Sequence, residues 1–177
     1  MNRRRFAPTI CLLALILNGC AQRPVRDQTA PMLSNGPVAL GVSGVGITSR
    51  NFTQQGLGSL PRAAATVKEQ SGQQSIYEGV RVGDVLKSLG MEFGHALRGP
   101  RLADFLLVEA ADGYRVVFAL PELDPEFSDR VVLLADRCNG APIAAKDGPF
   151  KIIVSDERRH ARWVRNVTRL TVQSAVH

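Results

Sequence analysis

The order of apolar and polar positions along the chain predicts a mainly β domain with few helices. Apolar residues recur at i, i+3, i+4 and i+7 in residues 81–89, which predicts a helix that Gly90 ends. β-prone runs occur at 38–42, 63–68, 105–110, 114–119, 131–135, 150–154 and 170–172. Most of these runs follow one another as in a meander. The pattern predicts an α+β, mainly β fold with small helices at its edges.

Turn residues add a specific prediction to this pattern. Asp112 and Gly113 lie between the β-prone runs 105–110 and 114–119. A short link containing Asp-Gly favours a tight turn with positive φ, so these runs are predicted to form a β-hairpin. The Asn-Gly pair at 139–140 predicts a second turn.

The first 19 residues have the layout of a secretory signal peptide. Three arginines at 3–5 are followed by an apolar run at 6–17 and then by Gly19. The apolar run has about a dozen residues, whereas a membrane-spanning helix needs about 20. The sequence at 17–20, which ends in Cys20, resembles the lipobox of bacterial lipoproteins, in which the Cys thiol is acylated. Ordinary cleavage, giving a soluble periplasmic protein, is the alternative.

These features predict three parts: a signal peptide at 1–19, a flexible tether at 20–37, and a folded domain at 38–177. The tether is rich in Pro, Gln, Asn and small residues and has no apolar period. Lipidation of Cys20 would attach the protein to a membrane on the periplasmic side of the cell envelope. By resemblance to enterobacterial lipoproteins, Ala21 in place of Asp indicates the outer membrane.

Charge and cysteine content argue against a nucleic-acid-binding protein and against a disulfide-stabilised one. The formal net charge is +6, but the three arginines at 3–5 account for half of it. No basic stripe with interleaved aromatic residues is present, so we expect no nucleic-acid partner. Of the three cysteines, Cys11 leaves with the signal peptide and Cys20 is the predicted lipid site. Cys138 then stands alone, which predicts no internal disulfide and a small buried apolar residue.

One dense basic cluster is a candidate anion site. It comprises Arg158, Arg159 and Arg162, with Lys151 nearby and Trp163 as a possible aromatic wall. Guanidinium groups bind phosphate or carboxylate through paired hydrogen bonds, so such a cluster suits a small anionic ligand. The alternative is a solvated charged loop, because two neighbouring carboxylates partly neutralise it.

Five segments together resemble the molybdopterin-binding domain of the sulfite oxidase family. They are YEGVRVGDVL at 77–86, ADGY at 111–114, LADRCNGAPI at 134–143, GPFKIIV at 148–154 and WVRNV at 163–167. The resemblance runs from about Leu40 to Val172. It implies a sandwich-like mixed β core with short peripheral helices, in agreement with the pattern of apolar positions.

The resemblance also implies a chemistry that this chain does not reproduce. Enzymes of the family bind molybdenum through a dithiolene cofactor and one Cys thiolate, which lies in the segment before the helix. The matching segment here, residues 66–75, has no Cys, and Cys138 falls much later. We therefore expect no catalytic residue, no metal ligand and no cofactor, with molybdopterin possible by resemblance alone.

Three hypotheses follow for the function. The preferred one is a non-catalytic binding module for a small anion or an envelope protein, on a degenerate sulfite-oxidase-like scaffold. The second is a molybdopterin-dependent oxidoreductase that retains the cofactor without a Cys ligand. The third is a structural or interaction lipoprotein without a ligand.

Overall fold

The structure, a computed structural model, describes residues 40–176. The predicted signal peptide, the tether and Cys20 lie outside the described residues. None of the helices between residues 40 and 176 is long and apolar enough to cross a membrane.

The domain contains ten strands and a few short helices. The strands are β1 (Leu40–Gly44), β2 (Arg50–Phe52), β3 (Arg62–Lys68), β4 (Gln74–Arg81), β5 (Asp104–Ala110), β6 (Arg115–Ala119), β7 (Val132–Cys138), β8 (Ala141–Pro142), β9 (Lys151–Val154) and β10 (Val167–Ser174). The α-helices are α1 (Gln54–Gly58) and α2 (Val82–Lys87). Short 3-10 helices occupy Gly94–Ala96, Gly99–Ala103, Leu120–Leu123 and His160–Arg162. This content confirms the predicted α+β, mainly β class.

The strands form two five-stranded sheets. The order in the first sheet is β2-β1-β10-β5-β6, and β1 runs parallel to β10. The second sheet has the order β3-β4-β7-β8, and β9 also pairs with β7. Among the predicted runs, the meander expectation is therefore correct for β5 with β6 and for β7 with β9, and wrong for β1. That strand pairs with β10, from the opposite end of the described chain, a contact between distant residues that local patterns do not contain.

Local predictions agree with the structure where turns determine them. The Asp112-Gly113 hairpin forms as β5 and β6, and Gly113 has φ +84°. The predicted helix is shorter, ending at Lys87, and Gly90 follows it with φ +99°. Three strands, β2, β4 and the two-residue β8, were not predicted.

Apolar side chains from both sheets form one buried core. Leu106 and Phe118 of the first sheet and Leu134 and Ile152 of the second are each at most 2% exposed. Burying a side chain of this size contributes about 1.5–3 kcal/mol. Residues 155–166 connect β9 of the second sheet to β10 of the first, so this segment is held at both of its ends by the core.

Candidate functional site

A cleft of about 600 Å³ lies where two hairpin turns meet the segment between β9 and β10. The β3–β4 turn contributes Glu69 and Ser71, and the β5–β6 turn contributes Asp112 and Tyr114. Residues 160–165 form the remaining wall. Ligand sites for small molecules commonly have volumes of about 300–1,000 Å³, so the cleft has the size of a small-molecule site.

Hydrogen bonds fix the β5–β6 turn against the opposite wall. The Asp112 carboxylate accepts a hydrogen bond from the Tyr114 backbone N–H at 2.9 Å, which stabilises the turn itself. The Tyr114 hydroxyl donates to the Ala161 carbonyl at 2.7 Å. The tip of the hairpin and the 3-10 helix at His160–Arg162 are therefore tied together across the cleft.

Trp163 forms a rigid aromatic wall of the cleft. Its ring is stacked on His160, with centroids 3.6 Å apart and planes 5° apart, and its Nε1–H donates to the Val154 carbonyl at 3.2 Å. Tyr77 lies edge-on to the indole at 5.9 Å. Trp163 is buried, so it belongs both to the core and to the cleft wall.

Tyr77 places two opposite charges at the base of this wall. Its hydroxyl donates to the Glu69 carboxylate at 2.7 Å and accepts from the Lys151 ammonium at 3.3 Å. Burial of the ring and the hydrogen bond to Glu69 raise the pKa of Tyr77 well above its ordinary value. The hydroxyl therefore stays protonated and remains a donor to Glu69.

Lys151 is a basic residue that lines the cleft beside its aromatic wall. Its ammonium lies 5.2 Å from the Tyr77 ring centroid and 5.7 Å from that of Trp163, within the range of cation–π attraction. Within residues 40–176, Lys151 forms no salt bridge with a carboxylate. The ammonium is thus stabilised by two aromatic rings and one hydroxyl group.

The structure separates the four basic residues of the predicted anion site. Lys151 lines the cleft, whereas Arg158 lines a second groove of about 440 Å³. His160 and Trp163 line both grooves, as do Glu69 and Gln70, so the two grooves adjoin at these residues. Arg159 is exposed and lines neither groove.

Arg162 has protein partners of its own and lines neither groove. It donates to Glu122 at 3.2 Å and to Glu157 at 2.6 Å, and its guanidinium lies 4.5 Å from the Phe118 ring centroid. Arg130 extends the same network by pairing with Glu122 and Asp156. The network lies behind the cleft wall and holds the segment that carries His160 and Trp163.

The arginines of this network lower the pKa values of two of its carboxylates. Burial alone would raise the pKa of Glu122, but hydrogen bonds from Arg162 and the Ala119 backbone N–H, with the charge of Arg130, lower it overall. The hydrogen bond from Arg130 lowers the pKa of Asp156. Both carboxylates are therefore stabilised in the ionised form.

Sequence reasoning missed Glu69, Tyr77, Asp112 and Tyr114 as residues of the site. Tyr77 and the two hairpin residues lie within segments that carry the family resemblance, and this could have marked them. No local pattern identifies Glu69, because its role depends on a strand pairing that brings Tyr77 beside β3.

The chemistry of the cleft does not fit the molybdenum centre of the resembled family. From residues 66–75, the side chains that reach the cleft are Glu69, Gln70 and Ser71, which offer oxygen and nitrogen donors rather than a soft thiolate. Cys138 lies beside Tyr77 on the neighbouring strand and does not line the cleft. It is half-buried rather than fully buried as predicted. The described residues contain no cluster of His, Cys, Asp and Glu that could hold a metal ion.

Comparisons with known proteins establish the fold and nothing finer. No protein-family model and no curated protein matches the sequence. Among solved structures, the chain is similar to the sulfane dehydrogenase SoxCD from Paracoccus pantotrophus, with a TM-score of 0.60 and 19% sequence identity. The match covers 84% of this chain and 41% of that chain, so this chain spans less than half of its length. The likeness shows a distant fold relationship and confirms the sulfite-oxidase-like fold.

Proposed function

We propose that this protein is an envelope-anchored, non-catalytic binding module whose cleft holds a small anion at Lys151. The observation that carries the proposal is the Lys151 ammonium, half-buried against two aromatic rings and without a carboxylate partner in the described part of the chain. A half-buried charge without a directly paired counter-charge is costly, and an anionic ligand would supply a direct partner.

The donors of Lys151 support the same conclusion. An ammonium group has three hydrogen-bond donors, and the Tyr77 hydroxyl accepts one of them. The others remain for a ligand in the cleft that Lys151 lines. This proposal moves the centre of the predicted anion site from the three arginines to Lys151, because Arg162 is already paired and Arg159 lies outside both grooves.

The proposed absence of catalysis rests on the donors present in the cleft. The segment that carries a thiolate in the resembled enzymes presents Glu69, Gln70 and Ser71 here. Carboxylate, amide and hydroxyl groups are hard ligands and do not reproduce the soft ligation of the molybdenum centre. An oxidoreductase that retains the cofactor without Cys remains the alternative, and metal analysis distinguishes the two.

The proposed location rests on the N-terminal sequence. The basic start, the short apolar run and Cys20 together favour export and lipidation. A tether at 20–37 would then separate the domain from the membrane surface.

A thermal-shift screen with small carboxylates and phosphates tests the anion site. A ligand that binds the native state should raise the melting temperature by a few degrees at concentrations well above its dissociation constant. The shift should disappear in Lys151→Met and persist in Lys146→Met, since exposed Lys146 lies outside the cleft. Absence of any shift, or an equal shift in Lys151→Met, would refute the proposal.

A further inference from the structure

The base of the cleft carries a negative charge beside the positive one. Glu69 and Lys151 are half-buried and both bind the hydroxyl oxygen of Tyr77. They do not form a direct salt bridge with each other. The hydroxyl thus holds a carboxylate and an ammonium close together without a direct ion pair between them.

Each of the two charges keeps hydrogen-bonding capacity for a ligand. A carboxylate can accept about four hydrogen bonds, and Tyr77 supplies one to Glu69. Lys151 likewise has donors beyond the one that Tyr77 accepts. Because Tyr77 is buried and its pKa is raised, its hydroxyl keeps the same donor and acceptor roles over the physiological pH range.

The rim of the cleft also carries side chains of both charge signs. Asp112 is exposed on one hairpin tip and uses one carboxylate oxygen for the Tyr114 N–H. Arg165, on the facing segment, forms an ion pair with Asp147 at 3.5 Å. The lining of the cleft therefore contains acidic as well as basic side chains, so an anionic ligand that also carries a positive group would find a partner for each charge.

We propose that the ligand of this cleft is a zwitterion, namely an α-amino acid. This inference rests on the proposed function and specifies its ligand class. An α-amino acid carries its ammonium and its carboxylate on one carbon. The ammonium binds Glu69 and the carboxylate binds Lys151. The side chain lies against Trp163, His160 and Tyr114, whose aromatic surfaces favour an apolar or aromatic group.

Isothermal titration with three matched probes tests the inference on the full chain. The probes are L-phenylalanine, 3-phenylpropanoate, which lacks the ammonium, and 2-phenylethylamine, which lacks the carboxylate. We expect phenylalanine to bind most tightly and each truncated probe to bind about tenfold more weakly, the loss expected for one charge-assisted hydrogen bond.

Two variants test whether Glu69 binds the ammonium of the ligand and whether Lys151 binds its carboxylate. Glu69→Gln keeps an oxygen that accepts from Tyr77 and should remove the preference for phenylalanine over 3-phenylpropanoate. Lys151→Met should remove the preference for phenylalanine over 2-phenylethylamine. Glu92→Gln and Lys146→Met are matched controls outside the cleft and should change neither ratio.

The outcomes separate this inference from the proposed function. If 3-phenylpropanoate binds as tightly as phenylalanine and Glu69→Gln changes nothing, the zwitterion is wrong while the anion site at Lys151 stands. If neither of these carboxylate probes binds, and small phosphates do not bind either, both proposals are wrong.

Discussion

The imidazole of His160 lies flat on the indole of Trp163, with ring centroids 3.6 Å apart and planes 5° apart. This stacked pair lines both the cleft and the second groove. The 3-10 helix that begins at His160 ends at Arg162, whose guanidinium pairs with Glu122 and Glu157. The aromatic wall is thus held in place by an ion-pair network on its other side.

Replacing Arg162 should therefore destabilise the domain. Arg162→Ala removes the partner of Glu157 Oε1, whereas Oε2 of that carboxylate is already buried without a partner, and the substitution uncovers the Phe118 ring. We expect a loss of about 2 kcal/mol in the free energy of unfolding, the cost of leaving a half-buried charge unpaired. Urea denaturation followed by circular dichroism measures it.

Arg115→Ala is the matched control for this change. Arg115 pairs with Glu109, but its side chain is 65% exposed, and exposed pairs contribute at most about 1 kcal/mol. Equal destabilisation by the two substitutions would contradict the role assigned to the Arg162 network.

The same network predicts how stability depends on pH. The folded-state pKa values of Glu122 and Asp156 lie below their ordinary values of 4.5 and 3.8. Their stabilising contribution is complete above those ordinary values and is lost as pH falls through the lowered ones. We expect the melting temperature to decrease below pH of about 4.5, and to decrease less in Arg162→Ala. Asp156 is half-exposed, so Glu122 should supply most of the effect.

Features that depend on residues close together along the chain could be predicted from the sequence. The Asp112-Gly113 turn fixes the β5–β6 hairpin, and the spacing of apolar residues fixes α2. Strand β4 escaped prediction. Its buried positions include Ser75 and Gly79 while Ile76 is exposed, so the residue types do not show the alternation that the burial of the strand follows.

The candidate site could be predicted only in part, because its contacts join distant residues. Arg162 lies in the predicted basic cluster, yet Glu122, forty positions earlier in the chain, pairs with it. Glu69, Tyr77 and Lys151 come from the β3–β4 turn and two different strands, and the pairing of those strands brings them together. Composition identified basic side chains but not which of them already had partners.

The predicted lipid anchor is tested by one substitution. If Cys20 is acylated, Cys20→Ser should move the protein from the membrane fraction to the soluble periplasmic fraction and abolish labelling by a radioactive fatty acid. Cys138→Ser, in the folded domain, should leave both properties unchanged. An unlabelled wild-type protein whose fractionation Cys20→Ser does not alter would disprove the anchor.

Metal analysis tests the proposed loss of the resembled chemistry. Protein purified from a host that makes molybdopterin should contain far less than one molybdenum per chain and show no dithiolene absorption, because residues 66–75 supply no thiolate. Stoichiometric molybdenum would favour the oxidoreductase alternative.

Fluorescence of Trp163 tests the central claim most directly. Trp163 is the single tryptophan of the chain, and its ring lies 5.7 Å from the Lys151 ammonium, so its emission reports on the cleft. Titration with a small carboxylate should change the emission to saturation in the wild type and in Lys146→Met, but not in Lys151→Met. Either no saturable change in the wild type, or the same change in Lys151→Met, would contradict an anion site at Lys151.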